Sequence, residues 1–182
     1  GKKYTLYHML LTEGAEKHEL HLCANSREVK SYALSTYIPD MKKKLSNGED
    51  AYYYVGYLAG KYLDEAVNTE RSDFDFTDGP MFGDAKESEI VDVAVGYIRA
   101  YLKDELSKAA DEKKSQIDIL VKTKRPQYRL LLNRHPDVYS KIPAGLAEDK
   151  LDLELYKHQQ QWELDTVKKK HDIEEKVKQD AT

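Results

Sequence analysis

The sequence predicts an α+β chain: a mixed sheet with a helix packed on one face, followed by a charged helical extension. Three observations lead there. Short apolar runs with strand-like period and turn residues between them fill the stretch up to Phe76. Apolar residues at helical spacing take over from Ser88. The densely charged stretch Lys108 to Ser115 then marks a boundary, which predicts one domain over 1–112 and a helical extension over 113–182.

The elements follow in order. Tyr4 to Thr12 and Lys17 to Asn25 flank Glu13-Gly14-Ala15-Glu16 and read as a β-hairpin. In the second run Leu20, Leu22 and Ala24 alternate with Glu19, His21 and Asn25, the pattern of a half-buried strand. Val29 to Ile38 suits strand or helix, and Pro39 ends it either way. After the turn signal Asn47-Gly48-Glu49-Asp50, Tyr52 to Ala59 is a strand rich in Tyr and Val. Gly60-Lys61 turns the chain, Leu63 to Val67 returns as a neighbouring strand, and Phe74 and Phe76 share one face of another. Thr77 to Asp84 is a loop.

Ser88 is the expected N-cap of a helix carrying Ile90, Val91, Ala94, Ile98, Tyr101, Leu102 and Leu106. More helix is expected around Ile117, Leu120 and Val121, and a short one from Pro126 to Leu132. Pro136 and Pro143 bracket a loop. A long helix begins at Glu148, with Leu151, Leu155, His158 and Trp162 on one stripe that fades beyond Trp162. Two heptads fall short of a coiled coil, so the stripe is expected to pack on the chain's own helices and bury Trp162.

Composition narrows the function classes. With 29 Lys and Arg against 33 Asp and Glu, the formal net charge is -4, which argues against a chain wholly devoted to nucleic acid or anionic membrane. Cys23 is the single cysteine, so no intramolecular disulfide can form and a reducing, cytoplasmic compartment is expected. No apolar run approaches a membrane span. The chain opens Gly1-Lys2-Lys3 without an initiator Met, which predicts an internal segment of a longer protein.

Two constellations carry potential chemistry. In the expected hairpin His8 faces His21 with Cys23 alongside, a set of zinc-ligand types that lacks a fourth ligand or a water-orienting carboxylate; partly exposed strand residues are the plainer reading. Lys122, Lys124, Arg125, Arg129 and Arg134, with Tyr128 among them, form the densest basic patch, of the kind that contacts phosphates and stacks on bases. Asp118, Asp137 and Glu148-Asp149 flank it and favour a solvated face. No GxxxxGK[ST] loop occurs, and local spacing supports no Ser-His-Asp or Cys-His set.

Two segments resemble a known family. His21-Leu22-Cys23-Ala24-Asn25-Ser26-Arg27-Glu28-Val29 is similar to the strand ending in Asn-Gly-Arg, with a following Val, in the second domain of the MutL mismatch-repair proteins. Leu63 to Phe76 resembles that domain's Val-Asp-Val-Asn-Val-His-Pro-x-Lys stretch and the strand after it, and the helix from Glu87 falls where the family carries its long helix. That domain is the transducer of the GHKL ATPases, which include gyrase B, the ninety-kilodalton heat-shock chaperones and histidine kinases. The chaperone branch has Asn-x-x-Arg in the second segment, matched by Asn68-Thr69-Glu70-Arg71. Ser26 stands where the family has Gly, and Thr69 where it has Pro. The likeness covers residues 4 to 110, and the tail after Ser115 matches nothing specific.

The resemblance implies a mixed sheet with a left-handed βαβ crossover, a connection that is rare in general. It implies that Arg71 reaches the ATP γ-phosphate held by a separate nucleotide domain, with Asn68 supporting its loop. By physical chemistry alone, Arg71 offers a permanent charge and fixed donors to a phosphate, but among Glu70, Asp64, Glu65 and Asp73 it suits surface ion pairs as well. The implied role is relay in a MutL-like or chaperone-like ATPase: ATP and Mg²⁺ belong to the full-length protein, the partner is its N-terminal nucleotide domain, and the full-length protein is a candidate homodimer. The chain alone shows no catalytic machinery. The alternatives are a helical interaction or scaffold module, and a nucleic-acid-binding module using Lys122 to Arg134.

Overall fold

The computed structural model describes residues 3–70, 72–76 and 86–180, with side chains as far as 176. The chain divides into two units, Gly1–Ala109 and Ala110–Thr182.

The first unit is built on β1 (Thr5–Leu11), β2 (Glu19–Ala24), β3 (Arg27–Ala33), β4 (Leu45–Ser46) and β5 (Ala51–Ala59). β5 reads AYYYVGYLA, apolar or aromatic at every position, and this is why it takes the interior of the sheet. The order is β1-β5-β2-β3, with β4 at one end of β5. β5 runs antiparallel to β1 and parallel to β2, so the sheet is mixed and the fold is α+β as the periodicities predict.

The expected hairpin of the first two runs does not form. β5 lies between β1 and β2, because each of them buries more apolar surface beside β5 than a lone two-stranded ribbon provides. The parallel pair β2 and β5 is joined through β3, two 3-10 turns and β4, so this crossover is made without an α-helix. The Val29 to Ile38 stretch divides, with strand to Ala33 and a 3-10 turn over Leu34–Thr36. β2 and β3 are linked through Asn25 and Ser26, both at positive φ (50° and 63°), as a two-residue hairpin turn with right-handed strand twist requires.

The stretch expected to return as a strand from Leu63 is instead the helix α1 (Lys61–Ala66), which buries Leu63 completely. Phe74 makes only a single bridge with Val67, and its ring stacks on Phe76 at 5.1 Å between centroids. The Thr77 to Asp84 loop expectation lies outside the described residues.

The cap of α2 (Glu87–Tyr101) lies two residues before the expected Ser88: Lys86 holds the N-cap position, and its backbone N–H donates to the Glu89 carboxylate (3.3 Å). Ile90, Val91, Ala94, Val95 and Ile98 face the sheet, where Leu20, Leu22, Tyr54 and Leu58 meet them. Burying each of the larger side chains contributes about 1.5–3 kcal/mol relative to exposure. Tyr101, expected on the buried stripe, is half exposed. It stacks on His8 at 4.0 Å, and the His8 Nδ1 shares a hydrogen bond with the Tyr54 hydroxyl (2.8 Å). Gly56 leaves the room for this: a Cβ there would meet that hydroxyl at 2.8 Å.

α3 (Lys103–Thr123) begins in the first unit and continues in the second. In the second unit Ile117, Leu120 and Val121 pack with Leu131 and Leu132 of α4 (Arg129–Arg134), Val138 of α5 (Val138–Lys141), Ile142, and Leu151 and Leu155 of α6 (Glu148–Asp180). α5 occupies the stretch between Pro136 and Pro143 where a plain loop is expected. The buried Lys113 extends its Nζ to the Ile142 carbonyl (2.8 Å). Trp162 is partly buried beside His135, and from Glu163 to Lys176 every side chain is exposed.

Candidate functional site

Asn68 shapes the turn that follows α1. Its backbone N–H donates to the Asp73 carbonyl (2.9 Å), and its Oδ1 accepts from the Ser72 backbone N–H (2.9 Å). Below it, the Asp75 N–H donates to the Ala66 carbonyl (2.7 Å), and the Val67–Phe74 bridge closes the base. Asn is suited to this because its short carboxamide imitates a peptide group and bonds backbone a few residues on. Arg71 itself lies outside the described residues, while Ser72, the residue after it, is tied to Asn68.

Two further contacts join this region to the β2–β3 hairpin. The Asn25 backbone N–H donates to Asp64 Oδ1 of α1 (2.6 Å). Lys30 of β3 places its Nζ 3.1 Å from Asp73 Oδ1, on the far side of the Asn68 turn, and 2.9 Å from Glu87 at the start of α2. The Tyr32 hydroxyl also donates to Glu87. Glu87 and then Asp73 hold the Lys30 ammonium above its ordinary value. The Phe74 backbone N–H, followed by Lys30, holds the Asp73 carboxyl below the usual range. Both groups are therefore charged throughout the neutral range.

The segments His21 to Val29 and Leu63 to Phe76 thus meet in space. Lys30 and Tyr32 were not singled out from sequence; no local pattern marks them, because their partner Glu87 lies more than fifty positions away.

The other constellations are placed differently. His8 lies opposite Gly56 and His21 opposite Tyr57, neighbouring residues of β5 that face opposite sides of the sheet. The expected His8–His21–Cys23 set is therefore not assembled, and no group of three or more His, Cys, Asp or Glu suited to a metal occurs among the described residues. His21 stacks on Tyr57 (4.9 Å), and burial, then the Glu28 charge, pushes the Cys23 thiol up, away from thiolate character. In the basic patch, Lys124 pairs with Glu148 (2.7 Å) and Arg125 with Asp152 (2.7 Å). Tyr128 is buried and donates to Asp152 Oδ1 (2.9 Å), so its ring is not open for stacking on a base. Lys122, Arg129 and Arg134 remain exposed.

No helix among the described residues is long and apolar enough to cross a membrane. Comparison with protein-family models, curated proteins and solved structures finds no match to this chain.

Proposed function

We propose that this chain is the coupling segment of a GHKL-type ATPase, relaying the state of ATP in an N-terminal nucleotide domain to the remainder of the protein. One observation carries the reading. The segments His21 to Val29 and Leu63 to Phe76 resemble one family's motifs in the right order, and the fold joins them through Asn25–Asp64 and, one residue beyond the first, through Lys30–Asp73. A turn braced by Asn68 on an α+β scaffold is a suitable mount for a side chain that must reach a neighbouring domain.

In this reading Arg71 meets the γ-phosphate once the nucleotide domain has closed on ATP. Mg²⁺ and the hydrolytic water belong to that domain, the full-length protein works as a homodimer, and its compartment is the cytoplasm. Arg suits the task because its guanidinium stays charged and presents donors in a fixed plane.

The test is Arg71→Ala in the full-length protein. A charge-assisted hydrogen bond contributes about 1.5–3 kcal/mol, which corresponds to about 10- to 150-fold in a rate constant. ATP turnover is expected to fall by that order, while ADP affinity, which involves no γ-phosphate, stays within about twofold. Equal losses for ATP and ADP, or no loss for either, would refute the assignment.

A further inference from the structure

We infer that Lys30 is a positioning residue that transmits the position of the Asn68 turn to helix α2, an inference that rests on the coupling function proposed above. Its ammonium is shared: Asp73 belongs to the turn, Glu87 to the first turn of α2, and both carboxylates lie within 3.1 Å of the one Nζ. The chain joining them runs through residues 74–86, so Lys30 is a shortcut across the sheet edge between two elements separated along the backbone. β3 supplies a firm base for it, since Lys30 pairs with Leu22 of the wholly buried core of β2.

Glu87 is held a second time, by the Tyr32 hydroxyl two residues along the same strand. Loss of the Lys30 charge therefore leaves α2 docked on β3 while freeing the turn. A displacement of Asp73 moves the counter-charge of Lys30, and Glu87 feels that change directly at the end of α2, whose opposite end at Leu102 is buried in the same core. The ammonium has no preferred bond direction and sits on a flexible stem, so it can follow either carboxylate.

The experiment is hydrogen exchange on the full-length protein with Mg²⁺ and either ADP or a non-hydrolysable ATP analogue. Two peptides are read, one spanning 66–76 and one spanning 87–101. In the wild type the analogue is expected to slow exchange in both, relative to ADP. In Lys30→Met and in Asp73→Asn the difference is expected to persist in 66–76 and to vanish in 87–101, and Lys30→Arg is expected to restore it. Asp73→Asn keeps the Lys30–Glu87 pair, so it gives the answer even if Lys30→Met folds poorly. An α2 response that survives in Asp73→Asn would overturn the inference and leave the coupling function standing. A wild type with no nucleotide response in either peptide would overturn both.

Discussion

The protonation state of His18 is set by its two ring nitrogens. Nε2 donates to the Lys43 carbonyl (2.7 Å), while Nδ1 accepts from the Tyr54 backbone N–H (2.8 Å), and the residue is fully enclosed. A proton on Nδ1 would face that N–H, and burial alone already holds the ring below the usual imidazole range. Above about pH 6.5 the ring is neutral in the folded and unfolded chain alike. As pH falls below that, the unfolded chain takes up a proton that folded His18 refuses, and stability drops by up to about 1.4 kcal/mol per pH unit until the folded value is reached. His8 and His158 are shifted the same way by burial, so a variant is needed to isolate His18. Urea midpoints at pH 7.5 and 5.5 are expected to differ clearly in the wild type and less in His18→Gln; equal differences would remove His18 from the explanation. Ser26 offers a second residue-scale test. It sits at φ 63°, where side chains are strained and glycine is not, so Ser26→Gly is expected to raise stability by about 0.5–1 kcal/mol in chemical denaturation. A loss would mean that the serine side chain makes a compensating bond.

Among the elements, α6 combines two behaviours in one helix. Leu151 and Leu155 are buried in the second unit, whereas Leu164 and Val167, just past Trp162, are more than half exposed. Leu155→Ala is therefore expected to destabilise that unit by about 2–5 kcal/mol through cavity formation, and Leu164→Ala by less than about 0.5 kcal/mol. Trp162 is the single tryptophan and lies beside His135, so its fluorescence reports unfolding of this unit directly. Sedimentation of both variants is expected to match the wild type. A penalty for Leu164→Ala as large as that for Leu155→Ala would show that the exposed stripe has a partner. The helices were legible in sequence because their interactions are local: Ile90, Val91, Ala94 and Ile98 had to share a face once the backbone coiled. α1 was not. Leu63 to Val67 is too short to fix a period, and Gly60 reads as a turn, so a returning strand is expected. Its apolar residues in fact stand at i, i+3 and i+4, both sides of β5 are taken by β1 and β2, and the segment coils.

At the scale of the whole molecule, the chain presents carboxylates, cations and a braced turn, and its sequence has no GxxxxGK[ST] phosphate loop. Alone it is expected to show no measurable affinity for ATP and Mg²⁺ by calorimetric titration, with nucleotide response appearing only when the nucleotide domain is present. Low-micromolar binding by these residues alone would contradict the coupling role. The basic patch contributes little to a case for nucleic acid, since Lys124 and Arg125 direct their charge to Glu148 and Asp152.

By itself the sequence determined the mixed α and β content, the helix stripes and the strand from Tyr52 to Ala59. These follow from periodicity and from local composition, which are properties of neighbouring residues. Only the tertiary structure decided that β5 parts β1 from β2, that His8 and His21 face opposite sides of the sheet, and that Lys30 joins Asp73 to Glu87. The physical reason is the same in each case. Strand order and long-range ion pairs depend on which distant surfaces bury the most apolar area together, and a one-residue change of register reverses every side chain of a strand. Local pattern constrains the faces an element offers; the competition among all faces decides which of them meet.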